Sequence, residues 1–329
     1  MTVKNQMASA NNVLLKNSKK ASRQALTRSF GIIVITFIVA AVVSVLSPWF
    51  LTSENIINVL RQSSFLLLVA LAETLAIITA GIDLSVSSVV SISGCLTAFL
   101  VLKGYSLPLA IVAGIAIGTF LGAINAILIT VGKMEPYLAT LSMQIIGAGG
   151  ILYATQGVPV VPFNDAFTVL GRGYLGSLPV PIVVAGVIAV LVHLMLTSTV
   201  FGRHIYAVGG NPKAARVSGV NVSRVIALTY MISGSLAGLS GVMLASRLAS
   251  GQPSAGVGME VYAIASSVVG GASFFGGEGT IYGTVAGVLL IGIIGNALNL
   301  LNVSSFLHQV IIGGVIVVTV VIDRRMKRR

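Results

Sequence analysis

The side chains with the most chemical potential in this sequence are polar residues stranded in apolar runs. Asp83 and Ser85 lie in AGIDLS, and Glu73 stands in the apolar run before it. Asn125 follows Gly118 by seven residues and Gly122 by three, which puts all of them on one helix face. Asn296, Asn299 and Asn302 recur every three residues. A carboxylate at the centre of a bilayer costs about 2.5–3.5 kcal/mol on insertion scales, so it turns toward protein or water. Asp83 can also cap the helix that follows the AGID turn, and the amides can hold helices together. A stripe of neutral amides and hydroxyls suits a neutral, hydroxyl-rich solute. A path for an inorganic ion would carry paired charges or charged rings. Asp83, Ser85, Asn125, Asn296 and Asn299 are the candidate path residues.

Other chemistries lack their residues. Lys133 follows Gly132, but Met134 comes next and no glycine stands five positions before Gly132, so no phosphate-cradling loop of the G-x-x-x-x-G-K-[ST] kind is present. His193, His204 and His308 are far apart and have no spaced partners, unlike a metal-ligand set. No nucleophile stands with a base. The expectation is a protein without metal or cofactor that is not an enzyme.

The elements that must position the candidate residues are transmembrane helices. The chain has 329 residues, 56% of them hydrophobic and 9% charged, and its mean hydropathy is +1.01. A soluble domain carries about 25% charged residues, and several apolar runs here approach the ~20 residues that cross a bilayer. The single cysteine, Cys95, excludes an internal disulfide. The net charge of +12 would point a soluble protein toward nucleic acid. In this chain the charge sits at the two ends and in residues 201–224, a distribution that follows the positive-inside rule and implies no nucleic-acid partner.

Ten spans are expected, at about 31–47, 63–80, 84–102, 107–131, 137–156, 179–197, 224–246, 260–273, 280–301 and 304–322. Residues 1–29, with six Lys/Arg and no acid, form a basic tail, and residues 324–329 a basic C-terminus, flanking a transmembrane domain over 30–323. The first apolar run is followed by Pro48-Trp49-Phe50 rather than a small-residue cleavage site, so it reads as an uncleaved span. Both basic ends should be cytoplasmic. An even span count then puts 201–224 inside as well and the charge-balanced segment 157–178 outside. Ser53 is expected to cap a short interfacial helix ahead of the second span. The eighth span is short and broken by glycine, as a re-entrant or interrupted helix would be. Gly114/Gly118/Gly122, Gly234/Gly238 and Gly283/Gly287 repeat every four residues and predict close helix packing. A faint echo links TAGIDLSVSSVVSISG with GGEGTIYGTVAG.

Residues 201–224, FGRHIYAVGGNPKAARVSGVNVSR, hold five basic residues counting His204 and no acid. Asn211 is a good N-cap, Pro212 fits the first helical position, and Gly219 fits the left-handed turn that ends a helix. Only about two turns lie between them, too few to be stable alone. A helix so short, with Ala214, Ala215 and Val217 beside Lys213 and Arg216, must pack on the protein itself or dock into a partner.

GIDLSV (81–86), PYLATL (136–141), segment 201–222, SRLASGQPSAG (246–256), GGASFFGGEGT (270–280) and GNALNLLNVSSF (295–306) follow one another as in a known family. Over about residues 30–323 the chain resembles the sugar-type permeases of bacterial ABC importers. The resemblance implies an all-α permease of about ten transmembrane helices in the inner membrane, working as a dimer, more readily a homodimer. It implies two partners, an ABC ATPase subunit and an extracytoplasmic sugar-binding protein. It also implies that Asn211, Pro212, Lys213, Ala214, Ala215, Arg216, Val217, Ser218 and Gly219 form the cytoplasmic coupling helix. Ser87 and Tyr262 depart from the family pattern, which bears on the identity of the sugar. The rival readings are a stand-alone secondary transporter or channel for a small neutral solute and a purely structural membrane subunit.

Overall fold

The computed structural model describes Val34, residues 36–162 and 165–304, and Leu307, Val310, Ile311, Gly313, Gly314 and Val317. The two basic termini and most of the expected tenth span lie outside the described residues. The described helices are α1 (Thr36–Leu46), α2 (Ser53–Ile78), α3 (Val86–Leu102), α4 (Leu107–Thr130), α5 (Pro136–Thr155), α6 (Val169–Arg172), α7 (Val180–Ser198), α8 (Val200–Gly210), α9 (Pro212–Val217), α10 (Val222–Leu248), α11 (Met259–Val269) and α12 (Ile281–Leu300). A two-residue hairpin, β1 (Tyr174–Leu175) with β2 (Leu178–Pro179), interrupts this all-helical pattern.

Six of these helices, α2, α4, α5, α7, α10 and α12, are long and apolar enough to cross a membrane. Helices α1, α3 and α11 are apolar but shorter. Ser53 does not cap a separate interfacial helix. Thr52 is the N-cap, accepting the Asn55 N–H at 3.4 Å, and α2 then runs 26 residues without a break. No glycine or proline lies between Ser53 and Ile78 to stop it.

Helices α2 and α10 form the centre, with Leu68–Ile78 fully buried. The glycine repeats predicted as packing faces meet one another. A Cβ on Gly118 would overlap the Gly234 carbonyl, and one on Gly122 the Tyr230 carbonyl, so α4 lies backbone to backbone on α10. Gly283 and Gly287 of α12 sit in the same way against Gly270 and Ser266. Lipid supplies no hydrophobic drive between helices, so close van der Waals approach of small residues does this work.

The expected eighth span is an 11-residue helix. It stops at Gly270, and Gly271, Gly276, Gly277 and Gly279 then take positive φ before Thr280 caps α12. This irregular segment, 270–280, meets the α2–α3 connection: the Gly277 N–H donates to the Ile78 carbonyl at 2.8 Å. The two stretches with a faint sequence echo are thus neighbours at one end of the bundle, beside α8 and α9. The segment 157–178 lies at the other end of α10, where Gly171 N–H donates to Ser246 Oγ at 2.7 Å and Val160 pairs with Gly251. At 27 residues and 1.5 Å per residue, α10 separates the two ends by about 40 Å.

Candidate functional site

The candidate path residues fall into two places. Asp83, Ser85 and Asn125 share one closed network. Asp83 Oδ1 accepts from the Ser85 hydroxyl at 2.6 Å and the Ser85 N–H at 3.2 Å. Asp83 Oδ2 accepts from the Ser233 hydroxyl of α10 at 2.6 Å. Asn125 of α4 donates through Nδ2 to Ser85 Oγ at 2.7 Å. The Asp83 N–H points at both Glu73 carboxyl oxygens, 3.3 Å from each. Every one of these residues is buried, with exposures of 0–2%. Asn125, one of the candidate path residues, is fully buried where α4 meets the α2–α3 connection. The reason is its position on the glycine face of α4, which is the face pressed against α10. Ser85 does not accept a capping bond at the start of α3; its hydroxyl serves Asp83. The network pins the α2–α3 connection to α4 and α10 by a connected set of short hydrogen bonds.

Asn296 and Asn299 lie elsewhere. They line a groove of about 330 Å³ between α2 and α12, together with Gln62, Leu66, Tyr262 and Gly292. Asn296 is also held by Asn55 in a reciprocal amide pair, at 2.9 and 2.8 Å. The pair fixes Asn296 at the rim, and Asn299, one turn on, is exposed. Asn302 takes a left-handed conformation (φ 53°) beyond the end of α12. Gln62 and Asn55 carried no signal in the sequence, because the register of α2 against α12 is set only by packing.

At the opposite end, α9 is built as its sequence predicts. Asn211 Oδ1 accepts the Ala214 N–H at 3.0 Å, and Pro212 opens the helix. Gly219 has φ 86°. Its N–H donates to the Arg216 carbonyl and that of Val220 to the Ala215 carbonyl, both at 3.0 Å, the paired bonds of a Schellman ending. Asn221 then caps α10, accepting the Arg224 N–H at 3.0 Å. Only Ala215 of the helix is buried, in the core cluster that includes Ile205, Val208 and Val222. Pro212, Lys213, Ala214 and Arg216 are exposed, and Val217 is 90% exposed. Just ahead, Gly209 of α8 lies against the Ile78 carbonyl and the Gly277 N–H. The Tyr206 hydroxyl donates to the Gly279 carbonyl at 2.7 Å, and burial pushes its pKa up, which keeps it a donor. Thus α8 links α9 rigidly to both irregular connections.

A helical bundle with central small-residue seams, several helices long and apolar enough to cross a membrane and a capped helix projecting from one end is the architecture of a multi-pass membrane protein. The chain belongs to the family described as the permease component of the branched-chain amino acid transport system, whose model matches residues 55–320. It is 43% identical over 291 residues to the ribose import permease protein of Bacillus subtilis (strain 168), covering 88% of this chain and 90% of that one. It is 39% identical over 301 residues to the D-allose transport system permease protein of Escherichia coli (strain K12), covering 91% and 92%. The L-arabinose ABC transporter permease protein of Azospirillum brasilense is 34% identical over 308 residues, covering 93% and 91%. No solved structure matches the chain. The protein is a transport component rather than an enzyme.

Proposed function

We propose that the chain is the membrane-spanning subunit of an ATP-driven importer for a monosaccharide or related polyol. An extracytoplasmic binding protein delivers the solute, and a separate ABC ATPase drives the cycle. The reading rests on the names of the ribose, allose and arabinose relatives and on the form of α9. A six-residue helix capped at both ends, anchored through Ala215 and otherwise exposed, is suited to a cleft in a partner. Lys213 and Arg216 beside the bare Val217 give that surface a mixed basic and apolar character. The proposed orientation puts 201–224 and both termini in the cytoplasm of a bacterial inner membrane. Two copies form the functional dimer.

Transmission needs nucleotide states that contact α9 differently. Through α8, Gly209 and Tyr206, a displacement of α9 would reach Ile78 and Gly279 without a flexible linker. In this reading Asn296 and Asn299 line the solute path, and the Asp83 network fixes the helices that move.

The test is co-purification of the permease with its ATPase, with ATP turnover and sugar uptake measured in proteoliposomes. Ala214→Glu and Val217→Glu should leave a folded permease that loses the ATPase or hydrolyses ATP without uptake. Normal association, stimulation and uptake in both variants would rule out α9 as the coupling element. Uptake driven by an ion gradient with no ATPase present would replace the importer reading with that of a secondary transporter.

A further inference from the structure

Three arginines gather at the end of the bundle remote from α9. Arg61 lies in α2, Arg172 ends α6, and Arg247 stands in the last turn of α10. Each uses part of its guanidinium locally. Arg61 Nη2 donates to the Tyr174 hydroxyl at 2.5 Å and its Cζ lies 5.2 Å from the centre of that ring. Arg172 Nε donates to the Arg247 carbonyl at 2.6 Å. Arg247 lies 5.9 Å from the Phe65 ring centre.

The arrangement is electrostatically unbalanced. Arg61 reaches Tyr174, two residues after Arg172, while Arg172 bonds the Arg247 backbone and Arg247 lies over Phe65, one turn along α2 from Arg61, so three like charges share one neighbourhood. Among the described residues no carboxylate is hydrogen-bonded or ion-paired to any of the three. Arg61 Nε is buried and has no partner. A guanidinium carries five N–H donors in a fixed fork that matches a phosphate, and among the described residues one donor each of Arg61 and Arg172 has a protein acceptor. The surroundings are apolar and exposed: Tyr174 at 55%, Leu175 at 59%, Leu178 at 56% and Val169 at 55%. These residues directly precede α7, a helix of membrane-crossing length. Tyrosine and leucine beside arginine at the head of a span is the composition of the headgroup layer, where apolar side chains reach acyl chains and cations reach phosphate.

We propose that Arg61, Arg172 and Arg247 form a binding site for the phosphate of an anionic phospholipid. The hairpin residues Tyr174, Leu175 and Leu178 flank its glycerol and acyl portion. The bound phosphate relieves the mutual repulsion of the three cations and ties α2, α6 and the end of α10 together. The site is independent of the solute path and of α9, and it holds whichever solute is carried.

The test uses the full chain in nanodiscs of phosphatidylglycerol or phosphatidylcholine, followed by native mass spectrometry of retained lipid. Wild-type protein should retain phosphatidylglycerol in preference to phosphatidylcholine. Arg172→Gln and Arg247→Gln should each weaken retention about fivefold, as expected for removing one cation near a lipid surface. Arg172 is exposed, so its variant tests the site even if Arg61→Gln fails to fold. A second arm titrates inorganic phosphate against the detergent-solubilised protein and follows thermal stability. Stabilisation by phosphatidylglycerol that phosphate cannot reproduce supports the lipid. Stabilisation by phosphate with no lipid preference overturns it in favour of a soluble anion. Lipid retention unchanged in the variants also overturns it. So does unchanged retention with lost affinity for the binding protein, which would assign the patch to an acidic protein surface.

Discussion

Gly209 sits so close to Ile78 that a Cβ on it would overlap the Ile78 carbonyl oxygen, whereas one on its neighbour Gly210 would meet nothing within 4 Å. This contact is where α8, carrying α9, meets the end of α2. Gly209→Ala should therefore lower the melting temperature of the purified permease, since forced overpacking costs typically 1–3 kcal/mol. Gly210→Ala should be neutral or slightly stabilising, as alanine is favoured in a helix by about 1 kcal/mol. Equal behaviour of the two variants in a thermal melt would contradict this packing.

Within α9, burial separates folding from docking. Ala215 is 6% exposed, so Ala215→Glu should reduce the amount of folded permease in the membrane. Ala214 is exposed, and Ala214→Glu should leave that amount unchanged while affecting only the partner. Asn211→Ala removes a cap worth about 1 kcal/mol, and Asn211→Ser should restore it. Gly219→Val forces a β-branched residue to φ 86° and should displace the helix. Quantitative membrane immunoblots beside ATPase co-purification separate these effects.

Asp83 is the centre of the buried network, and leaving a buried polar group without its partner costs about 1–3 kcal/mol. Ser233→Ala removes one donor from Asp83 and should lower stability by an amount of that order. In Asp83→Asn the same serine change should cost less. A double-mutant cycle from thermal or denaturant melts in detergent checks the coupling, and additive losses would show that Ser233 and Asp83 do not interact.

In the groove, Asn299→Leu should reduce sugar uptake with normal assembly and melting temperature, because the exposed Asn299 is hydrogen-bonded to no described side chain. Asn296→Leu should reduce uptake and also stability, because it leaves Asn55 without its partner. Asn55→Ala isolates the stability component. Full transport by Asn299→Leu would remove that amide from the path.

Topology is tested by cysteine labelling with an impermeant reagent, in a Cys95→Ala background. A cysteine at Lys213 should label only in opened cells, and one at Gly176, in the hairpin turn between β1 and β2, should label from outside intact cells. The reverse pattern would invert the proposed orientation.

The sequence by itself determined whatever depends on local rules. High hydropathy and scarce charge marked an all-helical membrane protein, and Asn211, Pro212 and Gly219 delimited α9, because caps and left-handed turns act over a few residues. The glycine repeats identified packing faces but not their partners; that the α4 and α10 rows face each other was decided by tertiary packing. The same limit governed the polar residues. Asp83, Ser85, Asn125, Asn296 and Asn299 were recognisable as polar groups needing satisfaction. Nothing local said that Ser233, 150 residues from Asp83 in the chain, would close one network, or that Asn55, 241 residues from Asn296, would hold the other. The continuity of α2 through Arg61 and Gln62 and the meeting of Arg61, Arg172 and Arg247 were likewise fixed only in three dimensions. A buried polar side chain shows in the sequence that it needs a partner; which partner it finds depends on helix register and crossing, and those follow from the packing of the whole bundle.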